Sequence, residues 1–337
     1  METRKQAYAM INDDKQDFLG PNYRSRTLQL ASGHVCTLVS YEPNTQPNLS
    51  TTVNKAILYI HGYTDYFFQT GLAEYCHNLG YRFYAVDLQG YGRSIRPNRP
   101  PTSCHSVLDY HDDMAAAMAV MQADGVTECV PLGHSTGGLI VTSYLRLHQA
   151  KHQNLPECTE NRLFIKGVIL NSPFLSMPLS ISKEPLVLPI YQKLAQWLSF
   201  VHLSTNKVNP YSRSLHTRFA GEWSYRLDWK PACGFSLSFA WLYQIMREQA
   251  LCAKASIDIP TLCCRSHIST YMARTVEQVR QGDGVLNVEN MEKKAQQIYQ
   301  NLSVSIIKQG FHDLYLSPAP VRYHYLDSIK IWLTQLD

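Results

Sequence analysis

The sequence of 337 residues lacks the features of several broad classes of protein. It has no run of about eighteen consecutive apolar residues, the length that a membrane-spanning helix needs. Residues 1–22 are polar and contain no apolar stretch like that of a secretory leader. Its nine cysteines are odd in number and irregularly spaced, so they do not form a disulfide framework. We therefore expect a cytoplasmic protein with reduced thiols, in which residues 1–22 are a loosely held lead-in.

The sequence also lacks a strong excess of charge. Its formal net charge is +4, and the basic residues are scattered, so a nucleic-acid partner is not indicated. Cys263 and Cys264, followed by His267, do not predict a metal site, because adjacent strand residues point to opposite faces and further ligands are missing. We interpret them as core thiols and expect no metal and no cofactor. A content of 45% hydrophobic and 17% charged residues suits one large α/β domain with an insertion.

Residues 130–138, Val-Pro-Leu-Gly-His-Ser-Thr-Gly-Gly, carry the strongest functional signal. Apolar strand residues lead into G-x-S-x-G around Ser135, and a mostly apolar helical segment follows at 139–145. Glycines two positions before and after the serine relieve the crowding of a sharp strand-to-helix turn, which exposes the hydroxyl above the sheet. The alternative is a glycine-rich turn with a surface serine. Because both the strand and the helix are present, we predict that Ser135 is a nucleophile.

Strand patterns alternate with helix patterns along most of the chain. Alternating residues at 26–30 and 35–41, joined by Ser-Gly-His, predict an antiparallel hairpin. Further strands are predicted at 55–60, 82–86, 127–132, 164–170, 261–264 and 303–307, and helices at 67–79, 107–123 (capped by Ser106 with Asp109) and 291–299. This order predicts a mostly parallel, doubly wound sheet with an antiparallel N-terminal edge. Ligands of such sheets bind at the carboxyl ends of the strands.

Residues 173–259 interrupt this alternation and contain no convincing central strand. Two amphipathic helices are predicted there. The first carries Leu186, Ile190, Leu194 and Trp197 on one face, and the second carries Phe239, Leu242, Ile245 and Met246. Ordinary core contacts are the simpler interpretation of both stripes, and a membrane-binding face is the alternative. We predict a helical cap at 173–259 inserted into a core of residues 23–172 and 260–337, which would form a lid above the strand ends.

A nucleophilic serine needs a histidine that takes its proton. Where the serine lies in a G-x-S-x-G turn between a strand and a helix, that histidine comes last in the chain. His267, His312 and His324 follow the insertion. His267 comes too early if an acid must follow its strand, and His324 falls in a terminal helix. His312 stands directly after the last predicted strand, so we predict that it is the base.

The acid that orients this histidine is predicted to be Asp283, which lies in a loop between the strand at 261–264 and the helix at 291–299. Asp258 precedes its strand, and Glu277 lies in a polar helical stretch. Asp313 is expected to point away from its histidine neighbour and to make a local hydrogen bond. The sequence does not predict the path of residues 268–282.

A developing oxyanion needs backbone donors, one from the residue after the nucleophile and one from the loop after the strand at 55–60. These are the N–H groups of Thr136 and Tyr63. His61, Gly62 and His134 flank them and are predicted to contact the substrate. The apolar cap residues Leu186, Ile190, Leu194, Trp197, Phe239, Leu242 and Met246 are predicted to line an acyl channel.

Five motifs together resemble the α/β-hydrolase superfamily, nearest its monoacylglycerol lipase and lysophospholipase-like group. They are His-Gly-Tyr at 61–63, Asp-Leu-Gln-Gly-Tyr-Gly-Arg-Ser at 87–94, Gly-His-Ser-Thr-Gly-Gly at 133–138, Asp-Gly-Val-Leu at 283–286 and His-Asp-Leu at 312–314. Gly221-Glu222-Trp223 and Asp228-Trp229-Lys230-Pro231 resemble the cap of bacterial and fungal members. The resemblance implies the α/β-hydrolase fold with an inserted helical cap.

These observations predict a serine carboxylic-ester hydrolase that acts through an acyl-enzyme on lipid-like esters such as monoacylglycerols or lysophospholipids. A serine aminopeptidase-like enzyme or a small-ester esterase is the first alternative, and a catalytically silent binding protein of the same fold is the second. A serine nucleophile excludes the carboxylate-nucleophile chemistry of dehalogenases and epoxide hydrolases. The expected partner is a small-molecule lipid-like ester, and the cap could make transient contact with a membrane surface. The sequence does not indicate an oligomeric state.

Overall fold

The computed structural model describes residues 13–43, 53–97, 106–153, 163–178, 184–198, 201–203 and 207–336. Its strands are β1 (Lys15–Gln16), β2 (Tyr23–Gln29), β3 (Val35–Tyr41), β4 (Lys55–Ile60), β5 (Arg82–Asp87), β6 (Glu128–His134), β7 (Phe164–Ile165), β8 (Val168–Asn171), β9 (His202–Leu203), β10 (Leu237–Ser238), β11 (Thr261–Ser266) and β12 (Leu302–Ile307). Ten of these strands form one sheet in the order β1-β2-β3-β5-β4-β6-β8-β11-β12, with β7 beside β6. The strands β9 and β10 pair with each other instead.

The sheet is parallel from β5 to β12 and antiparallel at its N-terminal edge. β4 lies between β5 and β6 and is parallel to both, and β6, β8, β11 and β12 continue in the same direction. β1, β2 and β3 are antiparallel, and β3 pairs antiparallel with β5. The nearly continuous apolar sequence of β4 is typical of a strand covered on both faces. The predicted fold class is confirmed.

Helices cover both faces of the sheet. They are α1 (Thr70–Asn78), α2 (Tyr110–Ala123), α3 (Thr136–Gln153), α4 (Glu184–Trp197), α5 (Pro210–Leu215), α6 (Phe239–Cys252), α7 (Val276–Val279), α8 (Val288–Ile298) and α9 (Ala319–Leu336). Alternate β4 side chains point to opposite faces. Ile57 and Tyr59 pack with α1 and α9 in one apolar core. Leu58 and Ile60 pack with α2, α3 and α8 in the other.

The start of α2 follows the predicted capping pattern. The Ser106 hydroxyl accepts a hydrogen bond from the Leu108 N–H, and the Asp109 carboxylate accepts one from the Ser106 N–H. This reciprocal pairing satisfies backbone donors that have no partner in the first turn. One short 3-10 turn, Val107–Asp109, then leads into α2.

The segment between β8 and β11 contains α4, α5, α6 and the pair of β9 with β10. Among its described residues, no strand joins the main sheet. The two predicted amphipathic helices correspond to α4 and α6, which pack against each other. We refer to residues 173–259 as the inserted segment, and its division from the core as a separate cap stays a prediction.

The sequence analysis found no membrane-spanning run and expected reduced thiols. Over the ranges that the structure covers, every helix is too short or too polar to cross a membrane. The seven cysteines in those ranges are free thiols. Cys263 and Cys264 are completely buried in β11, as expected for core thiols.

Candidate active site

Ser135 occupies the sharp turn between β6 and α3. Its φ of 53° lies in the left-handed region, which a residue with a side chain adopts only under strain. Glycines allow this turn to be tight: a Cβ on Gly137 would lie 2.2 Å from the Ile60 carbonyl oxygen. A Cβ on Gly133 would lie 2.7 Å from the Gly138 Cα. Close packing of the turn against β4 therefore holds Ser135 in its strained conformation.

His312 and Asp283 extend a chain of hydrogen bonds from Ser135. The Ser135 Oγ lies 2.8 Å from His312 Nε2, and His312 Nδ1 lies 2.9 Å from Asp283 Oδ2. The other carboxylate oxygen, Oδ1, accepts the backbone N–H groups of Val285 and Leu286, both at 2.8 Å. Asp283 is fully buried and His312 nearly so. The carboxylate is thus fixed on both sides, and its second oxygen is aimed at the imidazole.

Asp283 reaches this position although residues 267–282 separate it from β11. The Asp283 N–H donates to the Ile268 carbonyl at 2.9 Å, and the Thr270 N–H donates to the Asp283 carbonyl at 2.6 Å. These bonds close the intervening stretch, which contains α7, into an excursion that returns to the end of β11. The acid therefore lies beside the carboxyl end of this strand.

The two residues predicted to supply oxyanion donors belong to segments that adjoin Ser135. Thr136 is the first residue of α3, and the N–H groups of a first helical turn have no acceptor within the helix. Tyr63 follows β4, and its neighbour Gly62 lies so close to Ser135 that a Cβ on Gly62 would be 3.1 Å from the Ser135 Cβ. The helix dipole adds a positive partial charge at Thr136. That the two N–H groups bind an oxyanion stays a prediction.

His61 is completely buried, and its two ring nitrogens both meet backbone groups. Its Nε2 accepts the Leu88 N–H at 3.0 Å, and its Nδ1 lies 2.7 Å from the Gly62 carbonyl oxygen. Because an N–H can donate only to an acceptor, Nε2 is unprotonated and Nδ1 carries the proton. Burial also lowers the pKa of His61, which favours this neutral form. His61 thus links the loop after β4 to the loop after β5, and a contact with substrate stays a prediction.

His134 lies directly before Ser135 and is also buried. Neither of its ring nitrogens makes a hydrogen bond with a residue that the structure describes. Its Nδ1 lies 3.5 Å from Asp65 Oδ2, and its ring centroid is 5.1 Å from that of His312. His134 therefore lies between the base and a buried carboxylate that the sequence analysis did not select.

Asp65, His134 and Asp313 offer ligand atoms within 4.8 Å of one another, an arrangement that could hold a cation. However, the Lys230 ammonium already lies 2.6 Å from Asp65 Oδ1. Asp313 accepts a hydrogen bond from the Asn171 side-chain amide at 2.8 Å. A metal ion would have to displace a lysine that already neutralises the carboxylate. The donors here fit a hydrogen-bonded network better than a metal site.

The alternatives weighed from the sequence have surroundings of other kinds. His324 in α9, Asp258 and Glu277 all have exposed side chains. His267 Nδ1 accepts the Gln309 N–H at 3.0 Å. Asp313 accepts the Tyr315 N–H at 3.1 Å, a local hydrogen bond like the one predicted for it.

The apolar residues predicted to line a channel differ in burial. Leu186, Ile190 and Trp197 of α4 are 71%, 57% and 79% exposed, which is unlike the lining of a closed channel. Leu194 and Phe239 are half-buried, and Leu242 and Met246 are buried. The role of all seven in binding substrate stays a prediction.

An aromatic cluster that the sequence analysis missed lies beside Tyr63. The Trp241 ring of α6 packs on the Tyr63 ring, with centroids 4.4 Å apart. Tyr91 lies 6.3 Å from Tyr63 and also 6.3 Å from Phe235, measured between centroids. Trp241 and Phe235 belong to the inserted segment, so its apolar surface reaches the loop after β4. The sequence shows that Trp241 and Phe235 are aromatic, but it does not show that they pack beside the loop after β4.

Comparisons with known proteins indicate the family and the fold of the chain. A family model described as serine aminopeptidase, S33, matches residues 51–316. No curated protein matches the chain. A soluble variant of monoglyceride lipase from Saccharomyces cerevisiae, solved with a substrate analog, has a TM-score of 0.64 and 17% identity over 90% of this chain and 92% of that chain.

Two further solved structures are similar over most of their length. The monoacylglycerol lipase of Paleococcus ferrophilus has a TM-score of 0.58 and 17% identity over 83% of this chain and 94% of that chain. A thermostable carboxyl esterase from Bacillus coagulans, in complex with glycerol, has a TM-score of 0.60 and 12% identity over 94% and 99%. The TM-scores show a shared fold, and the resemblance predicted from the motifs is confirmed. The chain therefore has the α/β-hydrolase fold and belongs to the hydrolase family described as serine aminopeptidase, S33.

Proposed function

We propose that the protein is a serine carboxylic-ester hydrolase that acts through an acyl-enzyme on lipid-like esters of the monoacylglycerol or lysophospholipid class. The observation that carries this proposal is the hydrogen-bonded chain Ser135–His312–Asp283, with distances of 2.8 and 2.9 Å. It pairs a hydroxyl with a base, and the base with a carboxylate, at the carboxyl ends of parallel strands.

In the proposed acylation step, Ser135 Oγ attacks the ester carbonyl carbon while its proton passes to His312 Nε2. Asp283 keeps the other imidazole proton on Nδ1 and stabilises the imidazolium that forms. The N–H groups of Thr136 and Tyr63 would donate to the oxyanion of the tetrahedral intermediate. When this intermediate collapses, the C–O bond to the leaving alcohol breaks, and His312 gives its proton to that alcohol.

Deacylation reverses these roles with water as the nucleophile. His312 Nε2 takes a proton from the water, whose oxygen attacks the acyl carbon bound to Ser135. Collapse of the second tetrahedral intermediate releases the carboxylic acid and returns the proton to Ser135 Oγ. The chain's own residues supply every proton transfer in this scheme.

The aromatic cluster beside Tyr63 supports a substrate with an apolar acyl chain. Trp241 and Phe235 place aromatic surface beside the loop that carries the predicted donor Tyr63, and we take this surface as the wall that the acyl chain covers. Each methylene buried there contributes about 0.8 kcal/mol, so four more methylenes would add roughly 3 kcal/mol, or about a hundredfold in kcat/KM. We expect kcat/KM to rise with acyl length until the wall is covered.

The test is a series of kcat/KM measurements on esters from acetate to stearate, together with monoacylglycerols, lysophospholipids and aminoacyl amides. A rise with acyl length supports the proposal. A maximum at acetate would favour a small-ester esterase, and a preference for the amides would favour the aminopeptidase that the family description names.

Two variants locate the acyl site within the inserted segment. Trp241→Ala should flatten the dependence on acyl length, because it removes the ring next to Tyr63. Trp197→Ala tests the exposed stripe of α4 in the same way. If only Trp197→Ala flattened the dependence on acyl length, the acyl site would have to be assigned to α4 instead of the aromatic cluster.

A further inference from the structure

The loop after β4, residues 61–66, is bonded to the inserted segment at several points. We call it the oxyanion loop. Hydrogen bonds between the two include these four: Lys230 Nζ to Asp65 Oδ1 at 2.6 Å, the Phe235 N–H to Thr64 Oγ1 at 3.1 Å, the Tyr63 hydroxyl to the Ser236 carbonyl at 2.9 Å, and the Arg226 N–H to the Tyr66 hydroxyl at 2.7 Å. The inserted segment is therefore attached to the loop that carries a predicted oxyanion donor.

The bond between Asp65 and Lys230 is the only charged one of these four contacts. The Asp65 side chain is 1% exposed and that of Lys230 is 13% exposed. Burial by itself raises the pKa of Asp65, but the positive charge of Lys230 and the His134 contact outweigh burial, so its pKa lies below its ordinary value. The Asp65 carboxylate is thus ionised at neutral pH, and its contact with Lys230 is largely shielded from water.

Asp65 also connects the oxyanion loop to the nucleophile turn. Its Oδ1 accepts the Tyr66 N–H at 3.0 Å, which fixes the carboxylate within the loop. Its Oδ2 faces His134 Nδ1 at 3.5 Å, and His134 directly precedes Ser135. Lys230 therefore holds, through Asp65, the part of the loop that lies against the serine.

The net stability of such a pair does not account for this arrangement. Removing two charges from water costs about as much as their attraction returns, so a buried ion pair is weak support for overall stability. What the pair does fix is the distance between its two chain segments. A displacement of about 1 Å at a catalytic group can cost on the order of a hundredfold in rate.

We propose that Lys230 is a positioning residue, which holds the oxyanion loop through Asp65 so that the Tyr63 N–H meets the oxyanion formed at Ser135. The inserted segment then takes part in catalysis as well as covering the site. This inference rests on the proposed ester hydrolysis. It differs from that proposal because it concerns how the donor is held, not which group attacks.

The test compares Lys230→Met with the wild-type protein on an activated ester. We expect kcat to fall roughly ten- to a hundredfold with KM unchanged, because the lost interaction acts only in the transition state. The affinity for a boronic acid that forms a tetrahedral adduct with the serine should fall by the same factor as kcat/KM. If Lys230 had a merely structural role, the affinity for the boronic acid would not fall by the same factor as kcat/KM.

A matched control lies two residues away in the same segment. Asp228 forms an ion pair with Arg226, and both side chains are about half exposed or more, at 60% and 49%. Asp228→Asn removes an exposed side-chain ion pair and leaves the backbone bond from Arg226 to Tyr66 and the Lys230–Asp65 pair in place, so kcat and boronic acid affinity should stay at wild-type values. Equal losses in Asp228→Asn and Lys230→Met would overturn the proposal.

Lys230→Met leaves Asp65 buried without its partner, which could unfold the protein. The double variant Asp65→Asn/Lys230→Met removes both charges and should recover thermal stability while kcat stays low. Recovery of wild-type kcat in the double variant, or wild-type kcat in a folded Lys230→Met protein, would refute the positioning role and leave the proposed function intact. A wild-type protein that hydrolyses no ester and takes up no fluorophosphonate would overturn both.

Discussion

Replacing Asp283 with asparagine should abolish most of the activity by changing the tautomer of His312. Because Asp283 Oδ1 accepts the N–H groups of Val285 and Leu286, the asparagine keeps its carbonyl oxygen there and turns its NH₂ group toward the imidazole. His312 Nδ1 must then accept a hydrogen bond, and its proton moves to Nε2. A protonated Nε2 cannot take the proton of Ser135.

The expected loss in kcat is on the order of 10⁴-fold, or roughly 5.5 kcal/mol, as for a triad whose histidine is held in the wrong tautomer. The assay is kcat on a short activated ester, with circular dichroism to check folding. Asp313→Asn is the matched control, since Asp313 bonds to Asn171 and Tyr315 rather than to His312. A folded Asp283→Asn protein with kcat within about tenfold of wild type would refute the reasoning, as would a larger loss in Asp313→Asn.

Two further changes test the turn and the pH dependence of stability. In Gly137→Ala, the new Cβ would meet backbone carbonyl oxygens of Ile60 and His61 at 2.2 and 2.6 Å. We expect the free energy of unfolding, measured by thermal unfolding, to fall by about 1–3 kcal/mol and kcat to fall as well. A variant with wild-type stability and kcat would contradict the close packing. Burial lowers the pKa of His111 from 6.5 to about 4 in the folded protein. As the pH falls from 6.5 to 4, the histidine of the unfolded chain therefore binds a proton before that of the folded protein. The free energy of unfolding should fall by up to about 3 kcal/mol over that pH range. Denaturant unfolding of His111→Gln should show a pH dependence that lacks this decrease.

The sequence was sufficient for the features whose causes are local. The strand at 55–60 has the bounds of β4, because its apolar run is set by burial on both faces. The glycines around Ser135 predicted a turn that only glycines permit, and the structure has that turn. The Ser106–Asp109 capping box depends on residues three positions apart, so the sequence predicted it as well.

The rest depends on contacts between residues far apart in the chain. Asp65 and Lys230 meet across the junction of the core and the inserted segment, and neither carries a local pattern that predicts the other. The return of residues 268–282 to β11 is fixed by backbone bonds of Asp283 that composition does not encode. The stripe of α4 had the periodicity of a buried face, yet Leu186 and Trp197 are mostly exposed, because periodicity does not specify what covers a face.

Labelling with a fluorophosphonate probe, followed by peptide mapping, tests the central claim most directly. The wild-type protein should carry the label on Ser135, and a folded Ser135→Ala protein should take up no label and lose ester turnover by on the order of 10⁴-fold or more. Labelling at another residue, no labelling at all, or substantial turnover by Ser135→Ala would contradict the assignment, and absence of both label and turnover in the wild type would favour a silent binding protein of this fold.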